Sequence, residues 1–278
     1  MISTNCPKAY GVALSDFDGD GDLDAATSGY MSHLVTWYEN PGKRKLGNEW
    51  TRRVIDDNMH EARTISAGDF DRDGKIDLLA TAVGTLANNA PDSDDKSQVV
   101  WYQNSGQPAG KSWTKRLISN KLPAAIHGQP ADLDRDGDLD VVMAHGMRIE
   151  SDPNVDRHQV VWYENIAQPR QLPQWNLHRV GALPFAFEAH AGDIDGDGDI
   201  DIAVSAWSKG DRIVWFENAG DGEWASHLVR ADWAAANQVI LADLNGDGRL
   251  DIVASADDGS RRVQGALELR WWRNEGPR

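Results

Sequence analysis

Asp16, Asp18, Asp20 and Asp24 occupy positions 1, 3, 5 and 9 of the stretch DFDGDGDLD, with Gly21 at position 6. Asp and Gly build neither helix nor strand well, and five carboxylates in nine residues repel one another. A hard cation resolves both difficulties. Alternate residues of a tight loop converge on one point, and Ca²⁺ takes about six to eight oxygens at roughly 2.3–2.6 Å. The backbone carbonyl of position 7 is a natural further ligand, so its side chain can vary as Asp22, Lys75 or Arg249. Mg²⁺ keeps more water, and Zn²⁺ prefers His or Cys.

The same loop recurs as DFDRDGKID, DLDRDGDLD, DIDGDGDID and DLNGDGRLD, so that loops stand at 16–24, 69–77, 132–140, 193–201 and 243–251. The expected ligands are Asp69, Asp71, Asp73 and Asp77; Asp132, Asp134, Asp136 and Asp140; Asp193, Asp195, Asp197 and Asp201; and Asp243, Asn245, Asp247 and Asp251. Asn245 replaces an aspartate at position 3 and should weaken the fifth site. One structural calcium per repeat, five in all, is the expectation. Half of the 44 acidic residues lie in these loops, and five divalent ions would take the formal charge from −16 to −6. An EF-hand is excluded, since its position 12 calls for a bidentate Glu and here carries Thr27, Ala80, Met143, Val204 or Ala254.

These loops must be held by strands. Each is followed by a short apolar run such as LLATA or IAVSA, and then by a tetrad: WYEN at Trp37, WYQN at Trp101, WYEN at Trp162, WFEN at Trp215 and WWRN at Trp271. Four units add a last run opened by Trp50, Trp113, Trp175 or Trp224. Nine of the twelve Trp residues therefore sit at repeat-equivalent positions, where large rings pack between sheets. Four short β-rich runs per unit, repeated at 50–63 residues, predict an all-β chain. Residues 1–278 read as a single β-propeller of five four-stranded blades. Residues 1–6 can supply the strand missing from the fifth unit, closing the ring by joining the N- and C-terminal strands. A fragment of a larger ring is the rival reading.

The DxDGDGDxD loop, the apolar strand after it and the WYEN tetrad together resemble the FG-GAP or VCBS-type calcium-loop repeat, also found in integrin heads. The resemblance covers nearly the whole chain. It implies structural calcium and a functional face opposite the calcium loops, and it permits polysaccharide lyase or sugar dehydratase activity. A protein-adhesion role follows from the integrin-like repeat alone.

Candidate functional residues lie where the units differ, in the segments leading into each first strand. His127, Glu188 and His190 are candidates for acid–base catalysis, and with His60 they also have the ligand types of a transition-metal site. His60, Glu61, Arg63, Gln129, Phe187, Trp207, Trp233 and Gln238 are candidates for holding a ligand, because an aromatic ring beside polar groups suits a sugar. The long segments GTLANNAPDSDDKSQ and GMRIESDPNVDRHQ are expected to wall one side of the same mouth. His178 and His227 align with Arg53 and Arg116 on the predicted outer strand and read as surface residues.

The net charge argues against nucleic acid and anionic membranes as partners. No apolar run is long enough to cross a bilayer, so membrane insertion is not expected. MISTNCPKAYG shows no signal peptide, while the calcium loops favour a secreted, periplasmic or cell-surface protein. The single Cys6 excludes intrachain disulfides. No phosphate-binding Gly-rich loop, nucleophile elbow or CxxC occurs. The first reading is a calcium-stabilised propeller that binds a glycan or glycoconjugate. The second is a lyase or dehydratase on carbohydrate-like substrates. The asymmetry of the first-strand segments disfavours five equal sugar sites and keeps the enzyme reading open.

Overall fold

A computed structural model describes residues 1–42, 50–84, 97–107, 113–146, 158–167, 171–207, 210–220, 222–257 and 267–276. The two long segments between second and third strands, 85–96 and 147–157, lie outside the described residues.

The chain is all-β, with five antiparallel sheets forming the blades of a β-propeller. It divides into two compact units, residues 1–125 with 165–175 and residues 126–164 with 176–278. The first unit holds two sheets. One is β1 (Ala9–Ser15), β2 (Asp24–Gly29), β3 (Leu34–Glu39) and β4 (Thr51–Asp56). The other is β5 (Ala62–Gly68), β6 (Asp77–Ala82), β7 (Gln98–Asn104) and β8 (Trp113–Ser119). Ala13, Phe17 and Trp37 of the first sheet share a core with Ile65, Ala80 and Val100 of the second.

The second unit carries β9 (Ala125–Ala131), β10 (Asp140–His145), β11 (Gln159–Asn165) and β12 (Trp175–Ala182) as one sheet. The next is β13 (Ala186–Gly192), β14 (Asp201–Ala206), β15 (Arg212–Asn218) and β16 (Trp224–Arg230). The last is β17 (Ala236–Ala242), β18 (Asp251–Asp257) and β19 (Leu267–Trp272). Residues 1–6 form no strand, contrary to the expectation that they add one to the fifth sheet, and that sheet has three strands among the described residues.

Strands lie where the apolar runs and tetrads predict them, and each acidic loop joins a first strand to a second. Two recurring devices shape the start of the first strands. The residue just before each one has positive φ: Lys8, Glu61, Ala124, Phe185 and Ala235. A register shift then interrupts the pairing of β1, β5, β13 and β17 with their neighbours, as a β-bulge does. Such a bulge re-aims side chains, and it falls at Gly11, Thr64, Glu188 and Gln238, the positions where the repeats diverge.

Candidate functional site

The acidic loops are built by their own backbone. Asp16 accepts from the N–H groups of Gly19, Asp20 and Gly21, and Asp18 accepts from Asp20. The position-9 carboxylate faces inward. Asp24 is fully buried, with Oδ2 accepting from Phe17 N–H and Oδ1 from Asn40 N–H. Asp77, Asp201 and Asp251 repeat both bonds with Phe70 and Asn104, Ile194 and Asn218, and Leu244 and Asn274. In these four blades the tetrad's Asn thereby ties the third strand to its loop.

Three carboxylates per loop bring an oxygen within 4.8 Å of one another in four loops: Asp16, Asp18 and Asp24; Asp69, Asp71 and Asp77; Asp132, Asp134 and Asp136; Asp193, Asp195 and Asp197. Asp132 Oδ1 is buried with no hydrogen bond among the described residues. Burial and neighbouring carboxylates push Asp24 and Asp201 up to about 6 and Asp77 up to about 8. An all-oxygen donor set of this kind fits a hard divalent cation. The loops are not equivalent. Lys75 Nζ lies 2.5 Å from Asp73, and Arg249 and Arg273 lie 2.7 and 3.5 Å from Asp247, so an internal cation already contacts position 5 in the second and fifth loops.

The second cluster lies at the starts of β9 and β13. His127 is buried, and its Nδ1 is 3.7 Å from Glu188 Oε2, close enough for charge coupling and too far for a hydrogen bond. Glu188 and His190 alternate along β13 and share a face. Desolvation pushes the Glu188 carboxyl up to about 8 and holds His190 below the ordinary imidazole value. His190 Nδ1 is buried without a hydrogen-bond partner among the described residues. Gln129 donates to the Ala191 carbonyl at 3.4 Å and joins the two strands. The His127 ring packs 4.8 Å from Phe187, whose ring is 6.2 Å from Trp207. Phe187 is buried, so half-buried Trp207 supplies the accessible aromatic surface of this group.

Other ligand candidates fall elsewhere. In the first unit Arg63 is buried, stacked 3.7 Å over Tyr30 and 4.8 Å over Tyr10, with Glu61 at 3.5 Å. The His33 and His60 rings are 4.9 Å apart, and His33 Nδ1 accepts from Glu61 N–H. Glu61 therefore occupies the recurring positive-φ turn. Gln238 is exposed on β17. Trp233 is a correction: its indole is buried in the core at 5.2 Å from Trp272, and its Nε1 donates to Glu268. A ring that is packed on one side and hydrogen-bonded at its edge offers no ligand platform.

Outer-strand residues also find their role. His178 and His227 stack on Trp162 and Trp215 and meet Glu164 and Glu217, as Arg53 stacks on Trp37 and meets Glu39. His145 and His158 are buried; His158 Nδ1 accepts from Phe185 N–H as His33 does from Glu61.

FG-GAP-like repeats match the chain at residues 16–80 and 193–254. The chain is 23% identical over 282 residues to Cartilage acidic protein 1 of Homo sapiens, a match covering 91% of this chain and 40% of that protein. Among solved structures it resembles an Agrocybe aegerita lectin described as recognising non-reducing terminal N-acetylglucosamine. That match has TM-score 0.54 and 18% identity, covering 95% of this chain and 62% of the lectin. It also resembles a Bacillus licheniformis rhamnogalacturonan lyase, with TM-score 0.51 and 15% identity, covering 95% of this chain and 49% of the enzyme. At these identities the likeness is one of fold. The chain spans less than two thirds of each of these relatives.

Proposed function

We propose that this FG-GAP-repeat propeller is an extracellular, periplasmic or cell-surface protein whose loops hold structural calcium and whose opposite face binds a glycan. The observation that carries the glycan reading is the series of contacts from Trp207 through Phe187 to His127, with Glu188 beside His127. An indole face suits the C–H face of a pyranose, and the polar groups beside it suit hydroxyls. Support comes from the use of this fold by a lectin and by a rhamnogalacturonan lyase. The calcium reading rests on the four carboxylate groupings, and the placement outside the cytoplasm on the calcium levels such loops need and on the likeness to Cartilage acidic protein 1. Calorimetric titration with neutral and acidic oligosaccharides tests the binding. Trp207→Ala should weaken it at least tenfold, and a panel without a binder would overturn the reading.

A second reading, elimination at a sugar, is favoured by the opposite shifts of two neighbours on β13. Glu188 keeps its proton near neutrality and can give it to a leaving oxygen, while His190 is neutral and can accept the proton from carbon. An unsaturated, ultraviolet-absorbing product that Glu188→Gln abolishes without loss of binding would favour the enzyme over the binding module.

A further inference from the structure

Two outer-strand arginines of the first unit use the same edge of the guanidinium. Nε and Nη2 of Arg53 both donate to Glu39, and Nε and Nη2 of Arg116 both donate to Gln103. That edge presents two parallel N–H donors, the fork that matches a carboxylate. The Arg53 side chain is 34% exposed, so water stands ready for it as well.

Arg63 is the opposite case. Its side chain is 5% exposed, yet Nε and Nη2 are both buried without a hydrogen-bond partner among the described residues. Glu61 Oε2 stands 3.5 Å from Nη2, which makes an ion pair and no hydrogen bond. A charged donor that is buried and unmet is costly, and here one guanidinium carries two of them. The Tyr30 and Tyr10 rings lie 3.7 and 4.8 Å from the guanidinium carbon and attract its charge. A ring face gives neither Nε nor Nη2 a lone pair, so the fork stays unfilled.

The surroundings hold this fork in place. The Arg63 carbonyl accepts from the Ser28 hydroxyl. Gly11 lets β1 approach that closely, since a Cβ there would lie 2.8 Å from the Arg63 carbonyl oxygen and 2.9 Å from Ser28 Oγ. Glu61 has its backbone fixed by the N–H bond to His33 and by a φ of 51°. Its side chain, 20% exposed, is the more accessible member of the pair.

We propose that the Nε–Nη2 edge of Arg63 is a recognition site for the carboxylate of a small acidic ligand, which displaces the Glu61 carboxylate from it. Every residue of this site lies in the first unit, so it stands apart from the β9–β13 group and does not rest on the glycan reading.

Calorimetric titration of the calcium-loaded chain tests this with two carboxylates, glucuronate for an acidic sugar and N-acetylglutamate for an acidic side chain. Glucose is the neutral control. At least one carboxylate should bind, and glucose should not compete with it. Arg63→Lys keeps the charge and loses the fork, so it should weaken binding on the order of tenfold. Glu61→Gln removes the competing carboxylate and should tighten binding roughly threefold or more. The opposite signs separate recognition from damage, because a variant that only loosens the fold weakens binding in both cases. Neither carboxylate binding to wild-type and Glu61→Gln protein would overturn the proposal, and so would binding that neither substitution changes. Should Arg63→Lys fail to fold, Glu61→Gln decides alone, and unchanged or weaker binding in that variant overturns the proposal.

Discussion

The side-chain amide of Asn104 donates to the Phe17 carbonyl at 2.7 Å, across a sequence separation of 87 residues. Asn104 also donates to Ile76 and, through its backbone, binds the Asp77 carboxylate, so one residue joins a third strand, its own loop and the loop of the blade before. Asn104→Ala leaves one buried and one partly buried carbonyl without their donor. It should cost about 2–4 kcal/mol by denaturant unfolding, roughly 1–2 for each orphaned acceptor. Asn40→Ala, which releases one exposed carbonyl, should cost less than half as much.

Calcium should bind the loops in graded order. Position 7 is Asp22, Asp138 or Asp199 in the first, third and fourth loops, whereas Lys75 holds Asp73 and two arginines approach Asp247. Calorimetric titration should resolve tight sites in the first, third and fourth loops, a weaker one in the second and the weakest in the fifth. Lys75→Asp should tighten the second site on the order of tenfold, because ligand charge tunes affinity in such loops. Chelation should lower the melting temperature sharply. Each site saturated at about a hundred times its Kd contributes about 2.7 kcal/mol, so an unchanged melt would rule out structural calcium.

The glycine between the two candidate residues of β9 positions them. A Cβ on Gly128 would lie 1.9 Å from the Val142 carbonyl oxygen and 2.5 Å from the Met143 sulfur. Backbone cannot yield as a side chain does, so β9 would have to move away from β10. Gly128→Ala should therefore destabilise by about 2 kcal/mol or more and shift His127 relative to Glu188. Its check is a double measurement: denaturant unfolding, and ligand affinity in the fraction that remains folded.

Much of the architecture was legible because it repeats. Five copies of one acidic loop and one tetrad locate the strands, since each residue type recurs under the same physical demand. The role of the tetrad's Asn was not legible, although its recurrence was visible, because its acceptors lie in another unit of sequence. Trp233 was misplaced because an unaligned aromatic carries no sign of which way it points, and it points into the core. The strand expected from residues 1–6 failed for want of an alternating apolar pattern in MISTNC. His127 and Glu188 were singled out by their divergence alone. What brings them together is the juxtaposition of β9 and β13 and a bulge at the start of β13, neither of which leaves a local signature.

The Glu188 carboxyl should give the protein a pH-dependent stability opposite in sign to that of an ordinary surface acid. Burial raises its folded-state value to about 8, above the ordinary 4.5, so the folded state binds the proton more tightly than the unfolded chain. This contribution is fully present below pH 4.5 and declines as pH rises through 8. His190 works the other way: held below 6.5 when folded, it disfavours folding as pH falls through and below that value. Between pH 6.5 and 8 the His190 effect is absent and the Glu188 effect remains. Wild-type protein should therefore lose stability over that interval relative to Glu188→Gln, by on the order of 1–2 kcal/mol across the window. Parallel unfolding curves for the two proteins from pH 6.5 to 8 would show that Glu188 titrates as an ordinary carboxylate, and the proton donor assigned to it would be lost with that result.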